Sequence, residues 1–427
     1  MSSDPQRQFA LRIVDRLADA GFEAYWAGGC VRDLLMDVQP KDYDVATSAT
    51  PEQVRQIFGK RSTLAIGESF GVVVVIGPRD ESGEHLKVEV ATFRTDGSYS
   101  DGRRPDTVTF TSPREDALRR DYTINGMFYD PIREGVLDYV GGQEDLKRRV
   151  IRSIGDPEAR IAEDKLRMLR AVRFTARFDF ELDTATADAI RRQAPQLDAV
   201  SPERISQELR AILAHPNRAR AGELLVSLGL LPVVFPELEA LADSSYVYET
   251  LELWKLQSLE RFELALAILL RGLRGRTDPD ASSSRSPGTM VESICRRLRL
   301  SNRESDAINW LVEHHQDLND ARNLPLHVLK TRLTHASREM LLEWTRVRAV
   351  QQDMEPVDYE FCREYLQLTT LEQLDPPPCV TGADLISAGC RPGPDFSEML
   401  ARVRRAQLDE QISTRDEGLA LLGLSER

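Results

Sequence analysis

Asp42 and Asp44 stand two residues apart in the stretch KDYDVAT. If this stretch is a strand, both carboxylates leave from one face. Paired carboxylates can share divalent cations, and Mg²⁺ is usually held by one or two carboxylates plus substrate phosphates. The plainer alternative is an exposed acidic strand face. Upstream, GGCVRDLL at 28–35 follows a strand-like run ending at Ala27. Gly28 and Gly29 at a strand-to-helix turn permit close backbone approach and leave helix N-terminal amides free for an anion. Arg32, in the first turn, could add a charged fork to a phosphate. Otherwise the glycine pair simply makes a tight turn.

A second constellation is EDKLRMLRAVRF, residues 163–174, with Asp164 followed by Arg167, Arg170 and Arg173. On one continuous helix, residues three apart lie about 60° apart around the axis. Asp164, Arg167 and Arg170 then share a charged arc opposite Leu166, Leu169 and Val172, as a solvated face would require. Arg173 falls in the apolar arc and Phe174 in the charged one. An arginine on a packing face needs an acceptor, because burying it unpaired is costly.

The elements that must position these residues are legible in outline. Phe9–Ala20 has the pattern of an amphipathic helix. FEAYWAGG, Val72–Ile76, LKVEVATFR and DTVTF have the patterns of strands. From about residue 155 helical patterns dominate, which predicts an α/β head followed by an all-α remainder. The expected divisions are a head at 1–150, a helical neck at 151–220, a helical body at 221–365 and a helical tail at 366–427. RGRTDPDASSSRSPGT, 274–289, is expected to be a disordered insertion or linker.

Composition limits the function classes. The chain has 427 residues, 41% of them hydrophobic, and a net charge of −13. That acidity argues against indiscriminate nucleic-acid binding, although 151–220 carries a slight basic excess. The longest apolar run, Leu264–Leu270, is too short to span a bilayer, so a soluble cytoplasmic protein without a membrane partner is expected. Five cysteines without C-x-x-C spacing argue for free thiols and against zinc or a disulfide framework. The six histidines show no metal spacing, and His314 and His315 would point apart on a helix.

G-G-x-V-R-D followed by D-x-D resembles the nucleotidyltransferases of the DNA polymerase β superfamily. That resemblance implies a polymerase-β-like mixed sheet with helices, two Mg²⁺ ions on Asp42 and Asp44, and a third carboxylate on a neighbouring strand, for which Glu89 in KVEVATFR is the candidate. Further stretches follow in order: SYSDGRRPDTVTF at 98–110, LRRDYTINGM at 118–127, LDYVGGQEDL at 137–146, the 163–174 stretch and SPERISQEL at 201–209. Over about residues 22–235 the set resembles the class II tRNA nucleotidyltransferases. TGADLISAGCRPGPDF resembles that family's tRNA-facing tail more loosely.

The match implies that Arg120 touches nucleotide phosphates and Asp121 the ribose, unless Asp121 only caps a following helix. It implies that Asp164 and Arg167 stand in for a template base, with Arg170 and Arg173 supporting them or reaching the triphosphate. The atoms allow this reading. A carboxylate accepts from N4 of cytosine or N6 of adenine, and an arginine donates to the adjacent ring nitrogen. Uracil and guanine offer an acceptor where the carboxylate needs a donor. SPERISQEL is read as neck scaffolding. The expected activity is addition of C, C and A to the tRNA 3′ end from CTP and ATP with Mg²⁺. CC-only addition, A-only addition and bacterial poly(A) polymerase activity are its alternatives. The loop around Arg103, Arg104 and Pro105 argues against CC-only addition. A non-catalytic RNA-binding module would have lost the acids that are present here.

Overall fold

The computed structural model describes residues 4–64, 71–97, 108–239, 241, 243–277, 289–393 and 395–424. The chain forms two compact units. One is Met1–Ile212 with Arg220–Pro236, and the other is Leu213–Ala219 with Glu237–Arg427.

The first unit is built on a seven-stranded mixed sheet. Its strands are β1 (Ala24–Ala27), β2 (Asp44–Thr47), β3 (Thr63–Leu64), β4 (Val72–Arg79), β5 (His85–Thr92), β8 (Phe128–Asp130) and β9 (Gly135–Leu137). The order is β3-β4-β5-β2-β1-β8-β9. Only β2 and β5 run parallel, with Val45 opposite Val90; the other neighbours are antiparallel. Strand β1, in the interior of the sheet, is buried on both faces. Tyr25 and Ala27 join Ala46, Phe93 and Phe128 in one core. Trp26 lies on the other face, edge-on to Tyr43 and under Arg7 of α1 (Pro5–Asp19). That helix starts where Asp4 caps it, accepting from the Gln6 amide at 2.9 Å, and it buries Phe9, Ile13, Val14 and Leu17.

Around the sheet run α2 (Gly29–Leu35), α3 (Pro51–Phe58), α4 (Pro113–Arg119) and α5 (Gly142–Arg148). DTVTF contributes β7 (Val108–Phe110), which pairs with β6 (Arg94–Asp96) as a separate ribbon outside the main sheet. The stretch after Asp121 is not the apolar helix its residues suggest. It makes one 3-10 turn, Thr123–Asn125, and enters β8. The neck has α6 (Pro157–Glu163), α7 (Arg167–Phe178), α8 (Thr184–Gln193) and α9 (Pro202–Leu213). A two-residue parallel ladder of β10 (Val150–Ile151) and β11 (Glu181–Leu182) brackets α6 and α7.

The described residues of the second unit form helices and their connections, with one isolated bridge between Thr277 and Thr289. Trp254 and Trp344 are fully buried among its helices. Arg218, also fully buried, donates to the carbonyls of Leu213, Trp254 and Gln257 at 2.9–3.2 Å. It satisfies carbonyls at the C-terminal end of Ser244–Leu256 that the helix cannot pair itself. Toward the C-terminus, Gly382–Ser387, Asp395–Leu408 and Arg415–Leu421 close on Val380, Leu385, Val403 and Leu419. His314 and His315 do part: His314 meets Trp310 edge-on, and His315 stacks on Trp344. Among the described residues no helix is long and apolar enough to cross a membrane. Arg103, Arg104 and Pro105 and the 278–288 part of the expected insertion lie outside the described residues.

Candidate active site

The first unit holds a polar cleft of about 510 Å³. Ten of the twelve predicted site residues line it: Gly28, Gly29, Arg32, Asp44, Arg120, Asp121, Asp164, Arg167, Arg170 and Arg173. Arg94, Arg119, Asn125, Phe174 and Arg177 complete the wall, so eight arginines face three aspartates. Asp42 and Glu89 lie beside Asp44 but do not line the cleft.

Asp44 opens β2, while Asp42 precedes the strand. Their common exposure therefore comes from Tyr43, which is 2% exposed and anchored against Trp26. Glu89 and Asp44 each precede a residue of the paired set Val45 and Val90, so the parallel register puts them side by side. Solvent reaches the Asp44 carboxylate, but the protein crowds out much of the bulk water around it. That crowding, with the nearby Glu89 and Asp42 charges, raises its carboxyl to about 6 against the pull of Arg120. A carboxylate whose charge is disfavoured by two acidic neighbours suits a divalent cation, which would relieve the repulsion. Among the described residues no three such side chains close into a preformed metal cage. This accords with an ion whose coordination is completed by substrate phosphates and water.

At the other side of Asp44 the backbone turns sharply. Gly28 has φ +71°, and a Cβ there would lie 3.1 Å from Nη1 of Arg120. Only glycine allows both the left-handed backbone and this approach. Arg120 is held by Asp116, whose Oδ2 accepts from its Nε and Nη2 at 3.2 and 3.0 Å. Asp116 also accepts from Nε of Arg119 and from the Arg94 amide. Burial alone would raise the Asp116 carboxyl, but Arg120 and Arg119 hold it below its usual range. Asp116 was not singled out from sequence, although its spacing three and four residues before the arginine pair is the signal.

Arg32 is 5% exposed and its fork is already engaged. It donates to Asp33 Oδ1 at 2.7–2.9 Å and to Asn125 Oδ1 at 2.6 Å, and it lies over the Phe178 ring. It thus reaches the cleft as a cross-link of α2, the 3-10 turn and α7. Asp121 accepts from Arg170 Nε at 2.8 Å, from the Tyr122 amide at 2.8 Å and from Asn125 Nδ2 at 3.2 Å. Burial would raise its carboxyl, but Arg170 overrides this and holds it at about 2.

The 163–174 stretch is not one helix. Asp164 is extended, with φ −141° and ψ 101°, between the end of α6 and the start of α7. Its Oδ1 accepts from the Leu166 amide at 3.1 Å and its Oδ2 from Arg204 Nη2 at 2.8 Å. Arg167 is 7% exposed. Its Nη1 reaches the Arg160 carbonyl at 2.6 Å and Glu163 Oε2 at 3.0 Å. Its Nη2 reaches the Arg119 carbonyl at 3.4 Å. Arg173 finds the acceptor its position demanded: Glu208, at 2.6 Å. Phe174 is buried with the Arg170 and Arg173 guanidinium groups within 5.3 and 4.4 Å of its ring centre, and such cation–π contact resolves its place in the charged arc. Arg170 supports Asp121 rather than Asp164. SPERISQEL supplies both Arg204 and Glu208, so α9 touches the site directly; this contact was missed from sequence because nothing local marks a partner about 40 residues away.

A mixed sheet with acids on adjoining strands beside a cationic cleft defines a nucleotidyltransferase head. The model of the poly A polymerase head domain matches residues 24–152. That of the probable RNA and SrmB-binding site of polymerase A matches 179–241, and that of a putative tRNA nucleotidyltransferase domain 2 matches 285–422. The chain is 34% identical over 419 residues to the CCA-adding enzyme of Geobacillus kaustophilus, covering 97% of this chain and 95% of that one. To the CCA-adding enzyme of Geobacillus thermodenitrificans it is 45% identical over 227 residues, 53% of this chain and 54% of that one. The crystal structure of the Bacillus stearothermophilus CCA-adding enzyme in complex with CTP superposes with a TM-score of 0.73 at 31% identity, covering 98% of both chains. The chain belongs to the CCA-adding enzyme family of tRNA nucleotidyltransferases.

Proposed function

We propose that the protein adds C, C and A to the 3′ end of tRNA, using CTP and ATP and no nucleic-acid template, in the cytoplasm. One observation carries this reading: a single cleft brings Asp44 together with Asp164 and eight arginines, Arg167 among them. Such a cleft suits a triphosphate and an RNA terminus.

Asp42, Asp44 and Glu89 would hold Mg²⁺, which when bound lowers the pKa of an attacking hydroxyl and offsets charge on a leaving pyrophosphate. Gly28, Gly29 and Arg120 take the phosphates, while Arg32 fixes the turn that presents them. Asp121, oriented by Arg170, faces the ribose. Each Asp164 oxygen keeps a lone pair for an exocyclic amine, and Arg167 keeps its Nε–H and one Nη2–H for a ring nitrogen. The tRNA 3′ oxygen bonds to the α-phosphorus in line, the α–β phosphoanhydride breaks, and the hydroxyl proton leaves to solvent with pyrophosphate as the other product. In functional terms 1–150 acts as the catalytic head and 151–220 as the base-reading neck. The helical body at 221–365 leads to the tail at 366–427, which meets tRNA.

The test is single-nucleotide extension of tRNA transcripts ending at the discriminator base, at C and at CC, each offered CTP, ATP or both. Ordered growth to CCA followed by arrest is expected. Addition of A alone to the CC end, or arrest after CC, would mean a divided pathway. Long A tails on any RNA would mean a poly(A) polymerase.

A further inference from the structure

Arg160, on α6, does not line the cleft, yet it touches both halves of it. Its side chain is 12% exposed. Its Nη2 donates to two successive main-chain carbonyls, that of Arg119 and, at 2.8 Å, that of Arg120. Its Nη1 pairs with Glu163 Oε2. That same carboxylate oxygen accepts from Arg167 Nη1 at 3.0 Å, and the Arg160 carbonyl accepts from Arg167 Nη1 at 2.6 Å. Arg167 Nη2 closes the ring on the Arg119 carbonyl at 3.4 Å. One guanidinium therefore ties the peptide that carries Arg120 to the side chain of Arg167.

We propose that Arg160 is a positioning residue that locks the base-facing Arg167 to the phosphate-facing Arg120, so that the grip on the triphosphate and the choice of base are made by one rigid assembly. This rests on the roles given above to Asp164, Arg167 and Arg120. The chemistry calls for arginine in particular. A planar fork can serve two carbonyls with one nitrogen and a carboxylate with the other, whereas a lysine ammonium is a point charge that cannot span them in one geometry. With the link intact, a base that fails to pair with Asp164 and Arg167 also misplaces the α-phosphate. With the link cut, a wrong base can be tolerated while the phosphates stay seated.

The experiment uses the full chain carrying Arg160→Lys or Arg160→Ala. kcat/KM is measured for CTP and UTP on tRNA ending at the discriminator base, and for ATP and GTP on tRNA ending in CC. Correct nucleotides are expected to lose more than wrong ones, so that discrimination shrinks about tenfold, within the range of coupling between touching residues. Combining Arg160→Ala with Arg167→Ala should shrink it no further than Arg167→Ala alone. Proportional loss for all four nucleotides, or Arg160→Lys discriminating like the wild type, overturns the proposal. If Arg160→Ala does not fold, Glu163→Leu removes the oxygen that Arg160 and Arg167 share at similar volume, and an unchanged discrimination ratio in that variant also overturns it. A wild-type protein that itself accepts UTP and GTP overturns the base-reading assignment beneath it, and so separates the two failures.

Discussion

At the scale of single residues, the cleft depends on which charges are committed to the protein and which are left for substrate. Asp42→Ala should abolish nucleotide incorporation while tRNA binding, followed by gel shift, persists. Near-normal turnover in that variant would sink the metal assignment. Arg167→Ala should lose discrimination against UTP and GTP more than it loses thermal stability. Glu208 is 7% exposed and serves Arg173 at 2.6 Å with Arg170 3.8 Å away. Removing one partner of a fully buried pair costs about 3–5 kcal/mol. These arginines are 18% and 33% exposed, so solvent takes up part of the loss. Glu208→Ala should therefore destabilise the first unit by about 2 kcal/mol in urea unfolding. The residue types were readable from the chain: Arg173 visibly needed an acceptor. Its acceptor was not readable, because Glu208 meets it only through tertiary packing.

At the scale of elements, runs with a clear period were legible and junctions were not. The alternation of KVEVAT and the run at 72–76 mark β5 and β4 because a half-buried or buried strand leaves that imprint. Short β8 and β9, three residues each, leave almost none. The stretch from Glu163 to Phe174 keeps a helical period throughout, so the extended Asp164 between α6 and α7 is invisible until Arg204 and the Leu166 amide are seen to hold it. Asp164 and Arg167 are therefore spaced by packing, not by helical phase. The β1–α2 junction was legible, because a glycine pair after a strand has few uses. Gly28→Ala would force a side chain into the left-handed region and against Arg120. The KM for CTP is expected to rise about tenfold, the weight of one charge-assisted hydrogen bond. A Michaelis curve matching the wild type would show that Arg120 does not grip the nucleotide.

At the scale of the whole molecule, stability and chain path matter more than chemistry. His315 in the second unit stacks on Trp344, and burial pushes its imidazole down to about 4. An unfolded histidine titrates near 6.5. Between those values the unfolded chain binds the extra proton, so this group's contribution is fully present above about 6.5 and is lost as pH falls toward about 4. The slope approaches about 1.4 kcal/mol per pH unit. His315→Phe should flatten the pH dependence of urea unfolding in that window, and an unchanged slope would refute the assignment. The two units interleave along the chain: Leu213–Ala219 belongs with the second, although Arg220–Pro236 returns to the first. No single break in the gene therefore yields both units whole. A fragment beginning at Glu237 lacks Arg218 and leaves the carbonyls of Trp254 and Gln257 without their donor. A scheme that divides the chain between the two units would have to carry the seven-residue segment 213–219 over to the C-terminal piece.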